Sequence, residues 1–406
     1  MINAMMKSQL NILAILGNNP FLDSNAANNR FLGIAEELAN NNCKVEILIL
    51  NCANNRNEKK NITQNNLPNN IYCSYLAPYF IENKLLRKLF FKLYFFLFST
   101  LLVKKIVKKN NYDILWLGVH TRVTNIGLKI FHLKKTFNFK IFHERSEYSW
   151  IGMGNNKRIH YKYLNEFLPK IDCLAIMTKT LIDYYNDFLN PRTIVIHLPM
   201  TVNLNRFNKS DDTPSKKTNY IAYCGTMNNH KDGVNILIQS FADIMNLFPN
   251  VNLYLAGELT PQEDCLMQQE IIKKYNATNR IVYKGALTKD EIPDFLLNAT
   301  ILAMARPKTK QTEGGFPTKL GEYLATGNPV CVTDIGEISN YLKDGESAYI
   351  AQPNSIESFT NVLKRALTDH NAKDVGINGQ QIAHKFFNSE IQAKILYDCL
   401  TKLKKD

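Results

Sequence analysis

Residues 310–331 read KQTEGGFPTKLGEYLATGNPVC, and their types and spacing suit an anion. Gly314 and Gly315 allow backbone conformations and close approaches that other residues resist. Pro317 suits a first helical position, where its missing N–H would have no partner. Leu320, Tyr323 and Leu324 then recur at helical spacing, Gly327 stops the helix, and Asn328-Pro329 turns into a strand over residues 330–332. A glycine pair feeding a helix start leaves several N–H groups converging at the positive end of the macrodipole, a place for phosphate. Lys319 adds a cation there, and Glu322, just over a turn inside, can accept hydrogen bonds from a diol. The same letters also fit a capped helix with an acidic first turn, stabilised by about 0.3–1 kcal/mol at its terminus.

Two more groups of ionisable residues stand directly after apolar runs. One is Gly225-Thr226 with Lys231 and Gly233, followed by Gly257-Glu258, Lys284-Gly285 and Arg306. The other is IFHERSEYSW at 141–150, with His143, Glu144, Arg145 and Glu147 within five positions, and Arg122 and Asn125 after the preceding run. A single histidine at such a place is commonly a structural hydrogen-bonder, but four ionisable residues together favour a working site.

The elements that must carry these groups read as two α/β halves. In the first, strands at 11–16, 45–50, 71–75, 114–117, 140–143, 173–177 and 194–197 alternate with helices, beginning with an amphipathic one at 27–39. Strand, helix, strand within about forty residues is a βαβ unit, so a parallel sheet follows. No G-x-G-x-x-G succeeds the first strand, which counts against dinucleotide binding. Residues 200–218 are polar and broken by proline, the natural hinge. A second run of strands at 220–224, 251–256, 280–283, 300–305 and 330–333 delivers Gly225, Lys231, Gly257, Gly285, Arg306 and the 313–322 loop and helix to one edge. Cations and a helix start focused on one edge suit a diphosphate.

Charge is unevenly divided. Of 49 Lys+Arg and 36 Asp+Glu, residues 1–200 hold 26 and 13, so the first half is basic and the remainder neutral. That asymmetry points to an anionic partner of the first half: membrane, nucleic acid or phosphorylated substrate. The eight cysteines form no C-x-x-C pair and read as buried, reduced thiols of a cytoplasmic protein. Residues 10–16 are too short and polar for a secretory signal.

Residues 85–109 stand apart: LLRKLFFKLYFFLFSTLLVKKIVKK, aromatic and aliphatic with seven Lys or Arg. Their longest uncharged run, 93–103, is well short of the roughly 20 residues a bilayer span needs. The pattern fits a helix lying in an anionic membrane interface, lysines toward head groups; it also fits an amphipathic helix covering the sheet.

The order G-x5-K-x-G at 225–233, strand then Gly257-Glu258, strand then Gly285, and a Gly-Phe-Pro-x-Lys-x-x-Glu loop and helix followed by G-x-P-V resembles retaining family 4 glycosyltransferases. The resemblance covers essentially the whole chain and is strongest over 220–350. It implies a GT-B fold: two Rossmann-like domains facing across a cleft, an acceptor-binding one at 1–199 joined by a last helix at 389–406, and a nucleotide-sugar-binding one at 219–388. By resemblance Lys231 holds the donor diphosphate and Glu322, the second glutamate of an E-x7-E motif, binds the ribose. Gly225, Thr226, Arg306, Gly257 and Gly285 line the donor site, while Gly314, Gly315, Phe316, Pro317, Thr318 and Lys319 contact phosphate and donor sugar. His143 would face the transferred sugar, and the Asn25-Ala26-Ala27 turn the acceptor. The chain departs from the pattern twice: Thr226 stands where the family often has Arg, with Arg306 or Lys319 to supply the charge, and Glu313 stands one residue ahead of the first motif glutamate, at Gly314.

The expected reaction is retaining hexosyl transfer to a glycan or lipid-linked acceptor, in surface polysaccharide or glycoconjugate synthesis of bacterial type. It needs no cofactor besides the nucleotide-sugar substrate, no nucleic acid and no metal. Positive groups at Lys231, Lys319 and Arg306 neutralise the leaving diphosphate, and no D-x-D ends a strand. Glu313 and His143 would act on the sugar side. Location is expected in the cytoplasm or on the cytoplasmic face of the membrane. Two rivals stand beside it: a nucleotide-sugar 2-epimerase of the same architecture, which takes no acceptor, and a non-enzymatic basic binding protein.

Overall fold

The structure is a computed structural model that describes residues 9–22, 26–54, 67–77, 81–151, 156–208 and 219–405. The chain divides into two compact units, Met1–Leu198 with Glu390–Asp406, and Pro199–Ser389. The first holds β1 (Leu10–Leu16), β2 (Cys43–Ile49), β3 (Ile71–Tyr75), β4 (Ile114–Leu117), β5 (Lys140–Arg145), β6 (Cys173–Ile176) and β7 (Ile194–His197). They form one parallel sheet in the order β3-β2-β1-β4-β5-β6-β7. The second holds β8 (Tyr220–Cys224), β9 (Asn252–Ala256), β10 (Ile281–Gly285), β11 (Ile301–Met304), β12 (Val330–Thr333) and β13 (Tyr349–Ala351). These are parallel in the order β10-β9-β8-β11-β12-β13.

The central strands are unbroken apolar runs because both faces of each sheet are covered: ILWL, CLAI, ILAM and VCVT are buried at every position. Along β1 the strand period of two sends Leu13 and Ile15 into one core and Ile12 and Ala14 into the other. The helix Lys84–Lys109 gives Val103 and Val107 to the first of these. The helix Ser389–Lys405 gives Leu396, Tyr397, Leu400 and Leu403 to the second. In the second unit the helices Val234–Ile244 and Ile356–Thr368 supply Leu237, Phe241, Phe359 and Leu363 to a single large core.

All eight cysteines are free thiols, six of them buried. Among the described residues no helix is long and apolar enough to cross a membrane. Residues 209–218 of the expected hinge, and Asn25 of the expected acceptor turn, lie outside the described residues; Ala26 opens the helix Ala26–Asn40.

Candidate functional site

Each sheet reverses its strand order once, between β1 and β4 in the first and between β8 and β11 in the second. At such a point successive connections leave on opposite faces, and the carboxyl ends of the two strands open a crevice where ligands of open α/β sheets bind. Gly225 follows β8 and Arg306 stands two residues beyond β11, so the second crevice is flanked by residues of the predicted set.

Lys319 enters that crevice because Gly225 has no side chain. A Cβ at Gly225 would lie 2.0 Å from Lys319 Cε. Gly257, at φ +139°, crosses so near that its own Cβ would meet the Gly225 carbonyl oxygen at 1.8 Å. The turns are tied in series: Gly225 N–H donates to the Ala256 carbonyl and Gly257 N–H to the Gly285 carbonyl, each at 2.8 Å. Lys319 Nζ lies 2.7 Å from Asp232 Oδ2 and donates to Tyr223 OH at 3.3 Å. Asp232 is nearly sealed, with 3% of its side chain exposed, and also accepts from Thr226 Oγ1 at 3.1 Å. Lys231 precedes it in the helical turn Asn229–Asp232.

The titration of this pair reports the sign of the site. Burial works to raise the Asp232 pKa, yet Lys319, with Arg306 and Lys231 behind it, holds it below the ordinary value. Burial lowers the Lys319 pKa, Asp232 opposes the shift, and Arg306 and Lys231 add to it. Arg306 and Lys231 push both groups in the same downward direction, so the pair has cationic neighbours, which suits an anionic ligand.

Glu322 stands in the helix Thr318–Ala325 and is paired with Arg206, Nη1 to Oε1 at 2.7 Å, while Arg206 Nη2 donates to the Lys289 carbonyl at 2.9 Å. Glu322, Lys319 and Arg206 all act electrostatically on Cys224 at the end of β8, which places the three about one strand terminus. Tyr323 secures the helix to that strand by accepting from Cys224 N–H at 2.8 Å.

The start of the 310–331 stretch differs from expectation. Lys310–Gly314 is a short helix begun by a capping box between Thr309 and Thr312, so Gly314 is helical and Gly315 extended at φ −99°, ψ 157°. Neither glycine adopts a conformation closed to other residues. Pro317 caps the next helix rather than opening it, and Thr318 is its first residue. Phe316 is buried with its ring centroid 5.6 Å from Tyr341 and 5.4 Å from Phe387, so its side chain belongs to the core. Glu313 points to Lys308 at 3.4 Å, both half exposed, and does not join the Lys319–Asp232 cluster.

His143 is also corrected. β5 runs on to Arg145, so His143 lies inside the strand instead of ending it, and it is fully buried. The Leu117 carbonyl, at 2.5 Å, can only accept, so Nδ1 carries the proton and Nε2 accepts from Tyr163 OH at 2.8 Å. Its neighbours are likewise built into the first unit. Glu144 pairs with Arg30, and Arg145 donates to Tyr185 OH and to the carbonyls of Glu147 and Tyr148. Arg122 donates to the Leu50 carbonyl, and Asn125 accepts from Lys162.

Burial, then Arg145, depress the His143 pKa to about 3, against about 6.5 for an unfolded chain. The unfolded state therefore takes up a proton that the folded state refuses. This contribution to stability is complete above about pH 6.5 and is lost by about 1.4 kcal/mol per pH unit as pH falls toward about 3. His143→Gln, which cannot titrate, should flatten the acid limb of urea-denaturation stability; an unchanged slope would show that His143 does not set it.

The residue at the first unit's crevice is His120, which the sequence reading passed over. A Cβ on Gly17, which follows β1, would fall 2.2 Å from His120 Cγ, so the ring lies on the β1 turn. Nδ1 accepts from Arg122 N–H at 3.1 Å, leaving Nε2–H as donor, and burial with Arg122 lowers the pKa to about 4. Its signal was position: a polar cap three residues past an apolar strand, at the start of the helix Thr121–Ile130. Among the described residues no group of three His, Cys, Asp or Glu is arranged to hold a metal ion.

Residues 205–381 match the family model for glycosyl transferases group 1. The glycosyl transferases group 1 match falls wholly within the second unit and contains β8 to β13, Lys319, Asp232 and Glu322. The chain is 24% identical over 171 residues to a lipopolysaccharide 1,2-N-acetylglucosaminetransferase of Salmonella typhimurium, covering 42% of this chain and 45% of the relative. It is 27% identical over 132 residues to an alpha-1,3/1,6-mannosyltransferase, ALG2, of Dictyostelium discoideum, covering 32% and 30%. The chain thus spans less than half the length of these two curated relatives. Among solved structures it is similar to Anabaena HepE, crystallised with UDP and glucose: TM-score 0.72, 15% identity, 97% of this chain and 100% of the other. That likeness establishes the GT-B fold, two Rossmann-like parallel sheets, that the sequence led us to expect.

Proposed function

We propose that the protein is a retaining glycosyltransferase of family 4, moving a hexose from a nucleoside diphosphate sugar to a glycan or lipid-linked acceptor in surface polysaccharide or glycoconjugate synthesis. The observation that carries this reading is the Lys319–Asp232 pair, set in the positive field of Arg306 and Lys231 beneath the Gly225 and Gly257 turns. Departure of a nucleoside diphosphate concentrates negative charge on the phosphate oxygens, and fixed cations that need no rearrangement stabilise that charge best. Lys319, Lys231 and Arg306 do this without a metal. Glu322 accepts the ribose hydroxyls. His120 Nε2–H meets a substrate hydroxyl in the first unit, taking the place given to His143. With no enzymic nucleophile in the predicted set, the acceptor attacks on the face the leaving group vacates.

The Salmonella relative's name and the UDP bound to HepE make UDP-sugars the first donors to try. Thermal-shift screening against UDP-, GDP-, ADP- and CMP-sugars should give one nucleotide that stabilises by several kcal/mol well above its dissociation constant. No response to any of the four would overturn the donor reading. Lys231→Ala should lose at least about 2–3 kcal/mol of transition-state stabilisation, the scale of one charge contact. Turnover with the identified donor should survive EDTA, and its abolition would refute the metal-free route.

A further inference from the structure

The helix Lys84–Lys109 has more apolar surface than its own unit covers. On one side Phe95, Leu102, Val103 and Val107 join the first unit's core and Ser99 is buried. On the other, Leu86, Leu89, Leu93, Phe96, Leu97 and Leu101 are exposed, Leu93 by 61% and Phe96 by 78%. At 100° per residue these six fall within about 140° of arc, a continuous stripe along the first two thirds of the helix. Eight of the twenty exposed large hydrophobic residues of the described surface stand on this helix, so the stripe is a patch and not scatter.

The charge around the stripe selects its occupant. The helix carries eight Lys or Arg and no Asp or Glu. Lys88 and Lys92 lie along one flank and Arg87 and Lys105 along the other, while Lys104 and Lys108 continue the line of the stripe at its C-terminal end. A second copy of the chain laid on this stripe would bring cations against cations with no carboxylate on either helix to answer them. A nucleic acid would satisfy the cations but leave the leucines and Phe96 in water. An anionic bilayer satisfies both at once: apolar side chains enter the acyl boundary, and lysines reach outward to phosphate head groups.

We propose that the helix Lys84–Lys109 docks the first unit onto an anionic membrane surface, lying in the interface with Leu86, Leu89, Leu93, Phe96, Leu97 and Leu101 toward lipid. This goes beyond the sugar-transfer reading and does not depend on it, since none of these residues belongs to the Lys319 centre.

The test is flotation of the full chain with vesicles of phosphatidylcholine alone or mixed with phosphatidylglycerol, at low and high salt. The unmodified protein should float with the mixed vesicles at low salt and at least about tenfold less with neutral ones. Leu93→Ser/Phe96→Ser should lower partition to the mixed vesicles at least about tenfold, with an unchanged urea midpoint because both side chains are exposed. Lys88→Gln/Lys92→Gln should lower it several-fold, most at low salt. Failure of the unmodified protein to float, or equal flotation of Leu93→Ser/Phe96→Ser, would overturn the proposal. So would a dimer in light scattering that Leu93→Ser/Phe96→Ser dissolves while vesicles bind neither protein.

Discussion

Lys319→Ala should lose at least about 2–3 kcal/mol of transition-state stabilisation and about 3 kcal/mol or more of the second unit's stability. The two losses have different origins. Turnover falls because a cation at the departing phosphate is gone. Stability falls because Asp232, with 3% of its side chain exposed, keeps a buried carboxylate without the ammonium 2.7 Å away. Burial would then dominate its titration and raise its pKa, where Lys319 now leads the groups that depress it. In the native protein the Asp232 contribution is present above the ordinary carboxylate pKa and lost as pH falls through the depressed one. In the variant that sign reverses: stability recovers on acidification as the carboxyl takes up its proton. Lys319→Ala/Asp232→Asn should therefore regain most of the urea midpoint and none of the turnover. Near-normal kcat/KM for Lys319→Ala with the identified donor would refute the placement of the diphosphate.

Glu322→Ala should weaken donor binding more than tenfold, while Arg206→Ala should strengthen it by a smaller factor. A diol needs the carboxylate oxygens of Glu322, one of which Arg206 now occupies at 2.7 Å. Arg206 must turn aside or share the group when ribose arrives, and with 21% and 26% of the two side chains exposed, opening this partly solvated pair costs on the order of 1 kcal/mol. Freeing Glu322 should thus tighten the donor severalfold, even though the Arg206 bond to the Lys289 carbonyl is lost as well. Calorimetric titration of the two variants with UDP or the donor found by screening measures both effects. Weaker binding in Arg206→Ala, to the same degree as in Glu322→Ala, would mean that Arg206 contacts the donor itself and that no competition exists.

The parts of this molecule that depend on local pattern were legible from letters. Parallel strands covered on both faces need runs such as ILAM and VCVT, and the close approach at Gly225 and Gly257 admits only glycine. What escaped was fixed by distant partners. FHER reads as the polar end of a strand, yet the strand continues because Glu144 finds Arg30, 114 positions away, and Arg145 finds Tyr185, 40 away. His143 therefore lies two residues inside the strand instead of at its end. Glu322 can be read as a carboxylate on a helix, but its partner Arg206 lies 116 positions earlier in a stretch without periodicity. Asp232 stood beside Lys231 in plain sight. Nothing in the spacing tells that it, and not Glu313, would receive Lys319.

One detail of the fold bears on how the protein is made. The two strands of chain that enter and leave the second unit are stapled side by side: Val202 N–H donates to the Phe387 carbonyl at 2.8 Å and Ser389 N–H to the Val202 carbonyl at 3.0 Å. The second unit is therefore an insertion whose two ends meet, closed upon itself before residues 390–406 are needed. The first unit is not. Leu396, Leu400 and Leu403 fill a face of its sheet only after everything between Pro199 and Ser389 has emerged from the ribosome. During synthesis the later-encoded unit can finish first, and the earlier one must wait with part of that face of its sheet uncovered, the rest being held by the helix Ala26–Asn40.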